Sequence, residues 1–145
     1  MATNRRVIDA SRESVWQVLS DGRTYSSWVV GTSAIRDVDA GFPAAGTSLH
    51  YRIGRGPLCH DGHTEVKAAT EEKHLELEAH AWPFGTARID LQLDDHDDGR
   101  CVVTMVEHPA QGTAAMLHNP VGDAIIKLRN VESLRRLEKL ARARR

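Results

Sequence analysis

Cysteine and aromatic residues are scarce in this chain of 145 residues, with two Cys and only 5% Phe, Trp and Tyr together. Cys59 and Cys101 alone make no disulfide framework, so the fold must rest on its core. So few aromatics, without a basic strand face, argue against a stacking platform for single-stranded nucleic acid. An excess of one charge is missing too: the net charge is -1, which leaves no long-range field for a polyanion. No stretch approaches the roughly 20 apolar residues needed to cross a bilayer. The opening Met1-Ala2-Thr3-Asn4-Arg5-Arg6 lacks the apolar run of a signal peptide. These absences predict a cytoplasmic protein with reduced thiols, no nucleic-acid partner and no membrane insertion. Cofactor fingerprints are lacking as well. Gly54-Arg55-Gly56 has no strand–GxGxxG–helix context, and there is no GxxxxGK(S/T), GxSxG or HExxH. Nothing demands a cofactor.

What is present fits one domain, residues 1–145, with 41% hydrophobic and 27% charged residues. Val7-Ile8 has strand character within 5–9, and Ser11 suits a helix N-cap with Glu13 in the first turn. Val15, Trp16, Val18 and Leu19 follow at helical spacing, and Asp21-Gly22 ends the run. A short second helix is expected around Tyr25 to Trp28. From Ser33 onward the apolar period becomes two. Leu49, Tyr51 and Ile53 form one inward set; Thr64, Val66 and Ala68 another; then Leu75, Leu77 and Ala79; then Ala87, Ile89, Leu91 and Leu93. One dry face and one wet face predict an antiparallel sheet. Cys101 to Glu107 is apolar on both parities. Asn119-Pro120 then opens a long helix expected to run to about Ala143. Ile126, Leu134, Leu137, Leu140 and Ala141 share one face, with Arg129, Glu132, Arg135, Arg136 and Lys139 placed on the opposite arc. The basic C-terminal cluster is accounted for by the helix dipole and solvation.

Polar residues that break this pattern are the candidate site. Asn130 falls on the apolar helix face, with Asp123 on the same face one end earlier. Such a group needs a partner on the sheet or a wet cavity. Tyr51 carries a phenol among Leu49 and Ile53. Glu107 is expected at the end of the last strand; on the parity of Val103 and Met105 its carboxylate points inward, as a general base or ligand anchor, against a plain exposed strand end. His118 and His108 lie in segments expected to rim a cavity opening. Cys59, His60, Asp61 and His63 form the only dense group of metal-ligand types, but their spacing matches no closed zinc pattern. No metal is assigned.

Val7-Ile8-Asp9-Ala10-Ser11 leading to Val15-Trp16-Gln17-Val18-Leu19-Ser20-Asp21, with Trp28 beyond, resembles the SRPBCC superfamily, and within it the polyketide cyclase/dehydrase family. Gly46-Thr47, the 54–57 turn, 102–107 and Leu128-Arg129-Asn130-Val131-Glu132-Ser133-Leu134 carry the same likeness. The resemblance implies an α+β helix-grip fold: a seven-stranded antiparallel sheet wrapped around the long C-terminal helix, with two short helices after the first strand. It also implies a hydrophobic cavity between sheet and helix, but no single reaction. Strand parity and helical phase then assign the cavity wall to Trp28, Leu49, Tyr51, Leu77, Ile89, Leu91, Met105, Asp123, Ile126 and Asn130. Glu107, Tyr51 and His118 are the candidate proton-transfer groups. The expected partner is a hydrophobic, polyketide-like or aromatic small molecule, held by a cyclase/dehydrase, a non-catalytic carrier or a chaperone-activator-like module. The protein is expected as a monomer or homodimer.

Overall fold

A computed structural model describes residues 1–81, 85–111 and 120–144. The elements run β1 (Ala2–Ile8), α1 (Arg12–Ser20), a 3-10 turn (Gly22–Thr24), α2 (Tyr25–Trp28), β2 (Thr32–Val38), β3 (Ser48–Ile53), β4 (His60–Thr70), β5 (His74–His80), β6 (Thr86–His96), β7 (Arg100–Gln111) and α3 (Pro120–Ala143). The strands form one antiparallel seven-stranded sheet in the order β1-β7-β6-β5-β4-β3-β2. The two helices inserted after β1 carry the chain from one edge of the sheet to the other. The α+β helix-grip arrangement is therefore the one found.

Local chemistry explains the boundaries. The Ser11 hydroxyl accepts the Ser14 amide at 3.1 Å and starts α1. The carboxylate of Asp21 accepts the Arg23 amide at 3.2 Å and starts the 3-10 turn. Strand β1 begins at Ala2, earlier than its apolar residues suggest. Its residues pair one for one with β7, from Ala2 opposite Glu107 to Ile8 opposite Cys101. Ladder pairing sets that boundary, and Ala2 and Asn4, too small or too polar to mark it in the sequence, are buried on the same parity as Ile8. Strand β7 continues to Gln111, so Glu107 lies inside a central strand instead of at its end.

The period-two pattern predicted burial well. Leu49, Val66, Leu75, Leu77, Leu91, Leu93, Val103 and Met105 are all buried on the face toward α3. The C-terminal half of α3 completes a tight core there. Leu134, Leu137 and Ala141 pack with Val15, Val18 and Leu19 of α1, each Leu or Val side chain contributing about 1.5–3 kcal/mol on burial. Arg6 of β1 donates to Glu138 at 2.8 Å, and the same carboxylate accepts the Asp9 amide at 2.8 Å. These bonds fix the register of helix against sheet edge. Farther toward its N-terminus, α3 carries a different outer surface. Val121, Ile125, Leu128 and Val131 form an exposed apolar stripe, on the arc where the sequence pattern drew attention only to charges.

Candidate functional site

The tight core stops at Leu134. Toward the N-terminus of α3, Asn130 and Ser133 face the sheet in place of large apolar side chains, and the space between them and the strands is a cavity of about 380 Å³. Alternation decides which strand residues reach it: Leu49 and Tyr51 from β3, Thr64 from β4, Leu77 and Ala79 from β5, Ile89 and Leu91 from β6, Met105 and Glu107 from β7. Trp28 closes it from α2. A mostly apolar enclosure of this size with a few convergent polar groups has the composition of a small-molecule site.

Two polar clusters interrupt the apolar wall. The first joins β7 to α3. Arg129 Nη2 donates to Glu107 Oε1 at 2.5 Å, and Asn130 Nδ2 lies 3.5 Å from the same oxygen. Arg129 also donates to Asn130 Oδ1 at 3.3 Å. Glu107 is only 5% exposed and Asn130 1%, so each satisfies a group that would otherwise be costly to bury. The second cluster joins β3 to β4, where the Tyr51 hydroxyl and Thr64 Oγ1 are 2.9 Å apart. Burial raises the Tyr51 pKa, against smaller opposing effects of the Thr64 bond and the Arg129 charge. At neutral pH this phenol is a hydrogen-bond donor, not a base.

Gly62 is what lets Tyr51 lie flat on the neighbouring strand. A Cβ there would stand 2.9 Å from Tyr51 Cε2, 3.0 Å from Ile53 Cδ1 and 3.1 Å from the His80 carbonyl oxygen. The missing side chain is thus a shape requirement of the cavity wall.

Of the wall assigned by parity and phase, Trp28, Leu49, Tyr51, Leu77, Ile89, Leu91, Met105 and Asn130 line the cavity, together with Glu107. Two do not. Asp123 meets the N-terminal amine of Met1 at 3.1 Å, because the start of β1 lies alongside the start of α3. Ile126 is half-buried outside the lining, one turn beyond the residues that look onto the sheet. His118 lies outside the described residues. His108 alternates with Glu107 and is exposed. Arg129, placed by phase on the far arc, sits instead at the flank of the inward face, and its long side chain reaches Glu107. Thr64 and Ser133 were also missed; Thr64 had a visible signal, a polar residue on the inward parity of Val66.

The group around Cys59 is dispersed by β4. Asp61 lies 3.8 Å from both Arg36 and Arg52, while His63 stacks on His80 at 4.6 Å between ring centroids. Among the described residues, no three His, Cys, Asp or Glu side chains converge on one point. Among them, too, no helix is long and apolar enough to cross a membrane.

A sheet gripping one long helix over a largely apolar cavity defines the helix-grip class of the SRPBCC superfamily. The chain belongs to the family described as "Polyketide cyclase / dehydrase and lipid transport", which it matches over residues 2–142. No curated protein matches the sequence. Among solved structures, a conserved protein from Geobacillus kaustophilus is similar at a TM-score of 0.75 with 16% identity, covering 99% of this chain and 96% of that one. Ara h 8.0201 is similar at 0.71 with 9% identity, covering 97% and 96%. DynU16, from the dynemicin biosynthetic locus, is similar at 0.67 with 15% identity, covering 95% of this chain and 45% of its own. At these identities the likeness is one of fold.

Proposed function

We propose that this protein binds a small, largely apolar ligand between the sheet and α3. The observation that carries the reading is the break in packing at Asn130. The same helix face that makes a tight core at Leu134, Leu137 and Ala141 leaves about 380 Å³ open one turn earlier. Well-packed interiors hold few voids larger than a water molecule, so a space this large and apolar is matched to an occupant. Family membership supports the reading.

The polar groups favour binding over proton transfer. Glu107 Oε1 already accepts from Arg129 and lies near the Asn130 amide, and Tyr51 holds its proton. Both are positioned to orient a ligand. A cyclase or dehydratase reaction is the second reading, favoured by the family description. There the cavity would hold a flexible substrate near its reactive geometry, with Glu107 as base and Tyr51 as acid.

The test uses an uncharged fluorescent probe, N-phenylnaphthylamine, against the wild type and Ala79→Phe, which fills the cavity from β5. Binding by the wild type and loss in a folded Ala79→Phe are expected. Equal binding by both, or none by the wild type, would sink the proposal. Native mass spectrometry of the purified protein then seeks a retained ligand. Should turnover of any candidate be found, Glu107→Gln separates the readings: turnover unchanged in that variant removes Glu107 from the chemistry.

A further inference from the structure

The outward arc of α3 changes character along its length. At about 100° per residue, Val121, Ala124, Ile125 and Leu128 lie together on it, with Val131 at its edge. All are exposed, Val121 and Leu128 at 71% each and Ile125 at 62%. Farther along, the same arc carries Glu132, Arg135, Arg136 and Lys139, and Lys139 repeats the angle of Val121. Lys127 and Arg129 flank the apolar part on its two sides.

Charge is biased there as well. Helix α3 holds six Lys or Arg against three Asp or Glu, in a chain whose net charge is -1. Its acids are occupied: Asp123 by the Met1 amine, Glu132 by Arg135 and Arg136, Glu138 by Arg6. The helix dipole and solvation account for cations in the last turns. They do not account for aliphatic side chains left in water on consecutive turns, since contiguous apolar surface of this kind marks an interaction site.

A second copy of the chain would have to cover about 800 Å² on each side to make a stable dimer. Even aromatic side chains cover only about 150–250 Å² each, so four partly covered Val, Ile and Leu fall short of that. A bilayer surface demands no such area. Apolar side chains sink about 5–10 Å into the headgroup boundary while neighbouring Lys and Arg meet anionic lipid. We infer that the outer face of α3 docks on the surface of an anionic lipid bilayer, lying on it without spanning it. The inner face of the same turns brings Asn130 and Ser133 to the cavity, so docking sets the cavity against lipid. Docking needs no occupied cavity and stands apart from the ligand-binding reading.

The test is flotation of the full chain with vesicles of phosphatidylcholine alone, or of phosphatidylcholine and phosphatidylglycerol in equal parts. The wild type is expected to bind the mixed vesicles at least about tenfold more tightly than the neutral ones. Most of that preference should vanish near 1 M salt, where the screening length is about 3 Å. Ile125→Ser combined with Leu128→Ser should weaken mixed-vesicle binding by about tenfold or more, with circular dichroism and the urea midpoint as controls of folding. Leu128→Phe, which enlarges the apolar part, should strengthen it, and reads the same contact should the double variant not fold. Lys139→Gln should weaken mixed-vesicle binding by about threefold and leave neutral-vesicle binding unchanged. No binding to either vesicle, equal binding to both, or mixed-vesicle binding indifferent to the changes at Ile125 and Leu128 would each overturn the proposal. So would a wild-type dimer in sedimentation that the double substitution converts to monomer, which would assign the stripe to a second copy. Binding of N-phenylnaphthylamine without vesicles is read separately: its absence would remove the cavity reading and leave the docking standing.

Discussion

Arg129 on the closing helix and Glu107 on strand β7 are joined by a 2.5 Å hydrogen bond across the cavity rim, with the carboxylate buried and the guanidinium side chain 40% exposed. The asymmetry in exposure sets what each deletion does. Removing the exposed partner strands a buried charge; removing the buried one returns Arg129 to water.

Arg129→Met should therefore destabilise the fold by about 1–3 kcal/mol, less than the 3–5 typical of a fully buried pair. Glu107→Gln should cost under about 1 kcal/mol, in the range of exposed pairs. Urea denaturation of the two variants checks the order. A larger loss for Glu107→Gln would show that the carboxylate stabilises the fold through contacts other than Arg129.

Gly62→Ala should push the Tyr51 ring out of the cavity wall. Overpacking costs about 1–3 kcal/mol, of which the less flexible unfolded chain offsets about 0.4–1. The variant should lose about 1–2 kcal/mol net on these two scales and bind N-phenylnaphthylamine more weakly. Wild-type stability would mean that β3 and β4 can separate at no cost.

Acid should weaken the outer face of the sheet. Burial and the neighbouring His80 and His50 lower the His63 pKa, against a small opposing effect of Glu65. Glu78 is 2.9 Å from His80, Asp39 3.6 Å from His50, and Lys67 is paired with Glu65 at 2.9 Å. A histidine whose folded pKa is depressed takes up its proton more readily when unfolded. Its contribution is thus nil well above the unfolded value of about 6.5 and turns unfavourable as pH falls through it. The stability of the wild type relative to His63→Gln, read from urea midpoints on both sides of that value, should fall at the acidic end. A gap between them that does not change with pH would refute the coupling.

The two thiols should react very differently. Cys101 is fully buried, and burial pushes its pKa up to about 11, against a smaller lowering by Arg12. Cys59 is only half-buried. Ellman's reagent near neutral pH should label Cys59 alone in the native protein and both thiols in denaturant, because the thiolate is the reacting species. Native labelling of Cys101 would reveal opening of the β1–β7 pair.

Periodicity located four strands, the first and last helices and most of the cavity wall, while the helix-grip arrangement followed from the resemblance to the SRPBCC superfamily. Alternation at Leu49–Ile53, Leu75–Ala79 and Ala87–Leu93 is a local property, readable because a buried face must be apolar wherever the strand lies. Asn130 stood out for the same reason. Arg129 and Asp123 were misplaced because helical phase gives a direction at the backbone and says nothing of reach or of neighbours. A long guanidinium at the flank extends to Glu107, while the start of β1 claims Asp123. The stacked His63 and His80, 17 residues apart in sequence, meet only through β4–β5 register. The sequence by itself determined which residues of β3, β5 and β6 are dry and which are wet, since that follows from period and polarity. Tertiary structure alone decided that α3 packs tightly at Leu137 and stands off at Asn130, and that the Trp28 donor has no partner among the described residues. Those are differences of distance between elements remote in the chain, and no local pattern encodes them.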